Sequence, residues 1–205
     1  GQPLSKIALA VLKAVSSGIE ADIVGQIGKD LRTNASRLAL LDQYMRMRLG
    51  DHARTASFGL RRLASMLHEQ IAFSLSETAF DEFLQSQQVS FEDAEAMLRT
   101  QLLVRRAGRI SFSHEMILNA CAAHDIAVQA VSDPADFGGR LATPFLEPIA
   151  GDIISSIEDL EVVHTLLANV TRAELLTSSR EGRYGDVARA AARAVISTVS
   201  VLCRE

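Results

Sequence analysis

The chain has 205 residues, 48% of them hydrophobic but only 5% aromatic and none Trp, an aliphatic and Ala-rich composition that suits helix packed on helix in one large domain or two small ones. A formal net charge of −4 at pH 7 gives no basic surplus of the kind a general nucleic-acid binder carries. The two cysteines, Cys121 and Cys203, sit in separate apolar runs, so they offer neither a disulfide framework nor metal-ligand spacing and fit a reducing cytoplasm.

Residues 4–15 predict a helix, with Ile7, Val11 and Val15 one turn apart. Lys6 precedes this short apolar run, but no secretory cleavage pattern follows, and no apolar run is long enough to span a bilayer. Gly25-Gln26-Ile27-Gly28-Lys29 glances at a phosphate loop and fails. The first Gly of that motif would fall on Ile23, and Asp30 holds the Ser/Thr position that would ligate Mg²⁺. Residues 38–49 predict a second helix, with Leu38, Leu41, Tyr44, Met45 and Leu49 on one stripe and Arg46 and Arg48 on a solvated face.

Residues 58–71 follow as a helix whose inner stripe is Leu60, Leu63, Ala64, Leu67 and Ile71. Phe73-Ser74-Leu75 reads as a short extended piece, and Ser76 or Thr78 caps a brief helix holding Phe80, Phe83 and Leu84. Ser90-Phe91-Glu92-Asp93 resembles a capping box with Asp in the place of Glu or Gln, and opens a helix to about Gln101 with Phe91, Ala94, Met97 and Leu98 inward. Residues 102–106 and 109–113 then form a β-hairpin around Ala107-Gly108, where Gly108 supplies a positive φ and Ile110 and Phe112 share one face. Ser113 is the expected N-cap of a helix to about Gln129. Helix, short strand, helix, helix, strand, wing and strand make a winged-helix order.

The four prolines stand at 3, 134, 144 and 148, and Asp133-Pro134 with Phe137-Gly138-Gly139 marks the expected boundary of a C-terminal block. There, residues 145–157 carry Ile149, Ile153 and Ile157 at helical spacing, and residues 159–168 form the next helix. Thr171-Arg172-Ala173-Glu174 reads as a capping box, residues 178–185 as a polar loop, and residues 186–202 as a long Ala-rich helix facing inward through Val187, Ala190, Ala194, Val195, Thr198 and Val201. The block looks like helix pairs of a solenoid, without a clean internal repeat. The expected fold is therefore mainly α: a helical lead-in over 1–54, a winged-helix domain with a small β-hairpin over 55–129, and helical-repeat-like helices over 130–205. The chain opens on Gly1-Gln2-Pro3 without an initiator Met and closes at Glu205 in or just past a helix, so both ends are expected to continue in a longer protein.

No catalytic constellation is visible, and the chain is expected not to be an enzyme. His52, His68, His124 and His164 do not converge with each other or with Cys, His68 and His124 read as helix-surface residues, and no metal ligation is expected. His114 stands apart, because it lies where a strand hands over to a helix N-terminus. Such a place presents backbone N–H groups and the positive end of the helix dipole, which suit a phosphate. By position alone a packed or capping histidine is the simpler reading.

A wider set of residues bears on that choice. Tyr44-x-x-x-Arg48-Leu49, Leu60-x-x-Leu63-Ala64, and Phe112-Ser113-His114-Glu115-x-Ile117 with Ala122-Ala123 resemble the winged-helix region of STAND-class NTPases, which include the NACHT and NB-ARC switch proteins. The resemblance covers residues 38–127 and implies that His114 contacts the β-phosphate of ADP bound by a nucleotide domain elsewhere in the same protein, holding the switch off. It implies no cofactor held by this chain alone, ADP or ATP in the parent protein, and two partners: that nucleotide-binding domain, and another protein docked on the helical repeats. Asn119 departs from the Glu of many NACHT proteins. The expected location is cytoplasmic. Two other functions compete, a winged-helix DNA-binding transcriptional regulator and a helical interaction scaffold. DNA is disfavoured because Glu92, Asp93 and Glu95 outnumber Arg99 on the helix that would enter the groove, although Arg105, Arg106 and Arg109 on the wing would suit phosphates.

Overall fold

A computed structural model describes residues 37–202, together with Ile23, Gly25 and Gln26, which are helical. The expected helix over 4–15 and most of the Gly25–Lys29 stretch lie outside the described residues. The fold is mainly α with one small antiparallel sheet of three strands. Two compact units divide the chain, one of residues 41–125 and one of residues 1–40 with 126–205.

Within residues 41–125, α1 (Arg37–Leu49) leads through a short 3-10 turn to α2 (Ala53–Glu69). The expected inner stripe of α2 holds for Leu60, Leu63, Ala64 and Leu67, all fully buried, while Ile71 lies past the helix end at φ 51° and is 81% exposed. Strand β1 (Ser74–Ser76) follows, and Ser76 caps α3 (Glu77–Ser86) by accepting from the Ala79 N–H at 3.2 Å. Ser90 caps α4 (Phe91–Arg99) in the same way, accepting from the Asp93 N–H at 3.1 Å.

The face of α4 differs from the expected one. Phe91 at the first helical position points to solvent, 76% exposed, and Asp93, Ala94, Ala96 and Met97 turn inward. The capping hydroxyl of Ser90 donates to Asp93 Oδ2 at 2.8 Å, which draws that carboxylate in and rotates Phe91 out. Gly59 of α2 lets α4 approach, since a Cβ there would stand 2.8 Å from the Met97 methyl.

Strands β2 (Leu103–Arg106) and β3 (Arg109–Phe112) pair antiparallel, with Leu103 opposite Phe112 and Arg106 opposite Arg109. Ala107 (φ 50°) and Gly108 (φ 72°) both take positive φ, the conformation of a two-residue type I′ turn. Strand β1 adds to the other side of β3, with Leu75 opposite Ile110, giving the order β1-β3-β2. Ile110 and Phe112 are buried on one face, as their alternation predicts. From α2 to β3, the element order and strand pairing are those of a winged helix.

Helix α5 (Glu115–Ser132) begins two residues after Ser113, the expected N-cap. The residue before the helix is His114, whose carbonyl accepts from the N–H groups of Ile117 and Leu118 at 3.1 and 3.2 Å.

The second unit contains α6 (Pro134–Arg140), a 3-10 turn at Glu147–Ile149, α7 (Ala150–Ser156), α8 (Leu160–Ala168), α9 (Ala173–Arg180) and α10 (Asp186–Leu202). The stretch expected to be a break is α6 itself. Asp133 caps it by accepting from the Asp136 N–H at 3.2 Å, and Pro134 occupies the first helical position, where its missing N–H costs nothing. Phe137 is buried, and Gly138 lies against the Leu166 backbone of α8. Ile149, Ile153 and Ile157 are buried as their spacing predicts, although the regular helix starts only at Ala150.

Three further expectations in this block are corrected. Thr171 does not cap α9. Its neighbour Arg172 occupies the N-cap without a side-chain cap bond and instead pairs with Glu147 at 2.6 Å and Glu174 at 3.0 Å. The expected loop over 178–185 begins as helix, with Ser178 and Ser179 buried and the Ser179 hydroxyl donating to the Leu175 carbonyl at 2.8 Å. Helix α10 buries Ala188, Ala191, Ala192 and Val195, while Ala190, Ala194 and Thr198 are exposed. An Ala-rich helix carries small apolar residues on every side, so periodicity alone does not select its inner face.

Candidate functional site at the strand–helix junction

His114 is positioned from both sides. Upstream, Phe112 is anchored in the sheet, and the Ser113 N–H donates to the Leu102 carbonyl at 3.0 Å, which fixes the chain leaving β3. Downstream, the buried Ile117 and Leu118 hold the first turn of α5 against the core. The His114 backbone is thus clamped while its side chain stays exposed, with Glu115 exposed beside it. An exposed imidazole at a helix N-terminus can donate one hydrogen bond to an anion, next to N–H groups that point the same way.

The other histidines are less isolated than the sequence predicts. His52 Nδ1 lies 2.9 Å from Asp93 Oδ1, across 41 residues of chain. The same carboxylate accepts from Thr55 Oγ1 at 2.8 Å and from Ser90 Oγ at 2.8 Å. Burial pushes the Asp93 carboxyl up, but hydrogen bonds from Thr55, His52 and Ser90, with the charge of His52, outweigh it and hold the group below its ordinary value. Asp93 therefore does not face solvent, and α4 presents only Glu92 and Glu95 as exposed carboxylates.

His124 is not a surface residue. Its side chain is 14% exposed, and Nε2 lies 2.7 Å from Asp42 Oδ2, a carboxylate that Arg61 also approaches at 3.8 Å. Arg62 pairs with Asp125 at 3.0 Å. Cys121 lies in the same helix, fully buried, with its thiol against the Met45 sulfur at 3.5 Å. Burial, and after it the negative charge of Asp42, push this thiol up to about 12, against a smaller opposing effect of Arg61. Arg48 also departs from the solvated face expected of it: its guanidinium donates to the Thr100 carbonyl just after α4 and lies 5.7 Å from the Tyr44 ring centre. These pairs join residues 41 to 82 positions apart, and no local spacing signals them.

On the wing, Arg105 pairs with Glu77 at 3.6 Å, and Arg109 donates to the Ser74 hydroxyl and carbonyl at 2.8 and 2.9 Å. Among the described residues, no group of three or more His, Cys, Asp or Glu side chains could hold a metal ion, and no helix is long and apolar enough to cross a membrane. No protein-family model, curated protein or solved structure matches this chain.

Proposed function

We propose that this chain is a non-catalytic regulatory segment of a STAND-type signalling NTPase, coupling nucleotide state in a separate domain of the same protein to its own helical C-terminal block. The observation that carries this reading is His114: exposed, clamped at both sides, and standing where β3 gives way to α5, within the Phe112-x-His114-Glu115 pattern that the family resemblance rests on. A β-phosphate of ADP fits there as a partner of one imidazole N–H and the helix N-terminus. The exposed carboxylate of Glu115 beside it works against any further gain. His114 is thus one contact on a nucleotide held by other residues, not a nucleotide site by itself, and Gly25 and Gln26 of the glycine-containing stretch are helical, not a phosphate cradle.

The switch works by differential contact. A bond from His114 to the diphosphate in the closed state alone biases the equilibrium towards that state. About 1–3 kcal/mol is enough to matter. In the full-length protein, His114→Ala is expected to raise basal activation, and unchanged basal activity counts against the role. The parent reading frame upstream of Gly1 gives the complementary test, since a P-loop there supplies the nucleotide and its absence removes the basis of the reading. A DNA-binding role has less support, because Arg105 and Arg109 of the wing are engaged with Glu77 and Ser74.

A further inference from the structure

An open groove of about 980 Å³ lies in the winged-helix unit, between α1, the first half of α2 and the α3–α4 turn. Its walls include Arg46, Arg54, Arg61, Phe58 and Gln88. Arg46 and Arg54 are exposed, and among the described residues no carboxylate pairs with either. Arg61 has only Asp42 at 3.8 Å, a carboxylate already held at 2.7 Å by His124. Asp93, the other acid on the wall, is turned inward by His52, Thr55 and Ser90. The groove is therefore positive in a chain whose net charge is −4. Phe58, which helical spacing places off the buried stripe of α2, is 55% exposed on the same wall.

We propose that this groove docks an acidic peptide segment of a partner protein, one that carries an aromatic or aliphatic side chain among its carboxylates. Arginine forks pair with carboxylates in bidentate geometry, and three of them around one aromatic ring match alternating acidic and apolar side chains. Gln87 and Gln88 line the groove and can pair with peptide N–H and C=O groups. Peptide is favoured over nucleic acid by the net negative charge, which opposes the counterion-release drive of a polyphosphate. The site is separate from His114, and its occupancy does not depend on the switch role.

The test is selection of a displayed library of short random peptides on the protein, in parallel on Arg46→Glu/Arg54→Glu and on Phe58→Ser. These side chains are exposed, and an unchanged thermal melt checks that each variant is folded; Arg46→Gln/Arg54→Gln substitutes if the charge reversal is not. The expected winners are rich in Asp and Glu around an aromatic or aliphatic residue. As labelled peptides they should bind the wild type in fluorescence anisotropy, weaken with salt, and lose about tenfold or more in affinity on the arginine variant. Phe58→Ser should weaken them as well. No enrichment, winners without acidic residues, or winners held equally by the arginine variant would overturn the proposal. So would a labelled thymidine oligonucleotide that binds through Arg46 and Arg54 where no peptide does.

Discussion

Two adjacent glycines in one short helix should respond to the same substitution with opposite sign. Gly138 and Gly139 both lie in α6, and neither has a positive φ, so alanine at either should gain about 0.5–1 kcal/mol from the reduced freedom of the unfolded chain. Gly139 is exposed and has nothing within 4 Å of where its Cβ would stand, so Gly139→Ala is expected to show that gain undiminished. A Cβ on Gly138 would stand 2.4 Å from the Leu166 carbonyl oxygen, where ordinary contact begins at 3.4 Å, so α6 and α8 must part by about 1 Å. The obstacle is backbone, with Asn169 Cβ a further 3.0 Å contact, and no flexible side chain can simply swing away. Overpacking of this kind costs about 2–3 kcal/mol, leaving Gly138→Ala about 1–2 kcal/mol less stable than the wild type. For a chain of this size that lowers Tm by roughly 2–8 °C, while Gly139→Ala raises it by about 1–4 °C. Thermal and urea unfolding followed by circular dichroism measure both. A Gly138→Ala protein as stable as the Gly139→Ala one would refute the close approach of α6 to α8.

Asp93→Asn should cost about 1–3 kcal/mol at neutral pH, because it weakens bonds from His52, Thr55 and Ser90 to a buried carboxylate. The Asp93 carboxyl is held below its ordinary value of 3.8, so its contribution is present above that value and is lost as pH falls through the folded-state value. The stability gap between wild type and Asp93→Asn, from urea unfolding at a series of pH values, should therefore narrow below about pH 4; a constant gap would contradict the assignment. Cys121, with its thiol pushed up to about 12, should resist an aromatic disulfide reagent at pH 8 in a Cys203→Ser background, since its thiolate fraction there is about 10⁻⁴. Reaction should appear only with global unfolding, and prompt labelling of the folded protein would show that the helix carrying it opens locally.

The winged helix was legible because its signals are local. Ser76 and Ser90 announce helix starts within three residues of the bonds they make, and Gly108 sits in a turn that needs its φ, between strands whose alternation marks Ile110 and Phe112 as the inner face. Errors arose where one local pattern served two structures. Asp133-Pro134 looks like a break and is a capped helix start, because the same residues satisfy both. Phe91 looks like core by its type, yet the Ser90–Asp93 bond decides which residues of that turn face inward. For α10 the pattern was too uniform to choose a face. The ion pairs were not legible at all, because His52–Asp93 and His124–Asp42 are joined only by the folded chain. His114 was found through the motif around it, and its exposed place at the junction agrees with the pattern read from the sequence.

The order β1-β3-β2 leaves both outer strands of the sheet as edges, and this affects how the protein behaves in concentrated solution. An edge strand offers unpaired N–H and C=O groups to any strand that comes near. Strand β1 limits that hazard by being three residues long. Strand β2 ends in Arg105 and Arg106, both exposed, at the half of the hairpin nearest its turn. Two guanidinium groups side by side on an edge repel a second copy of the same strand and discourage stacking into fibrils. The wing arginines thus act as gatekeepers against self-association, a duty that requires no ligand.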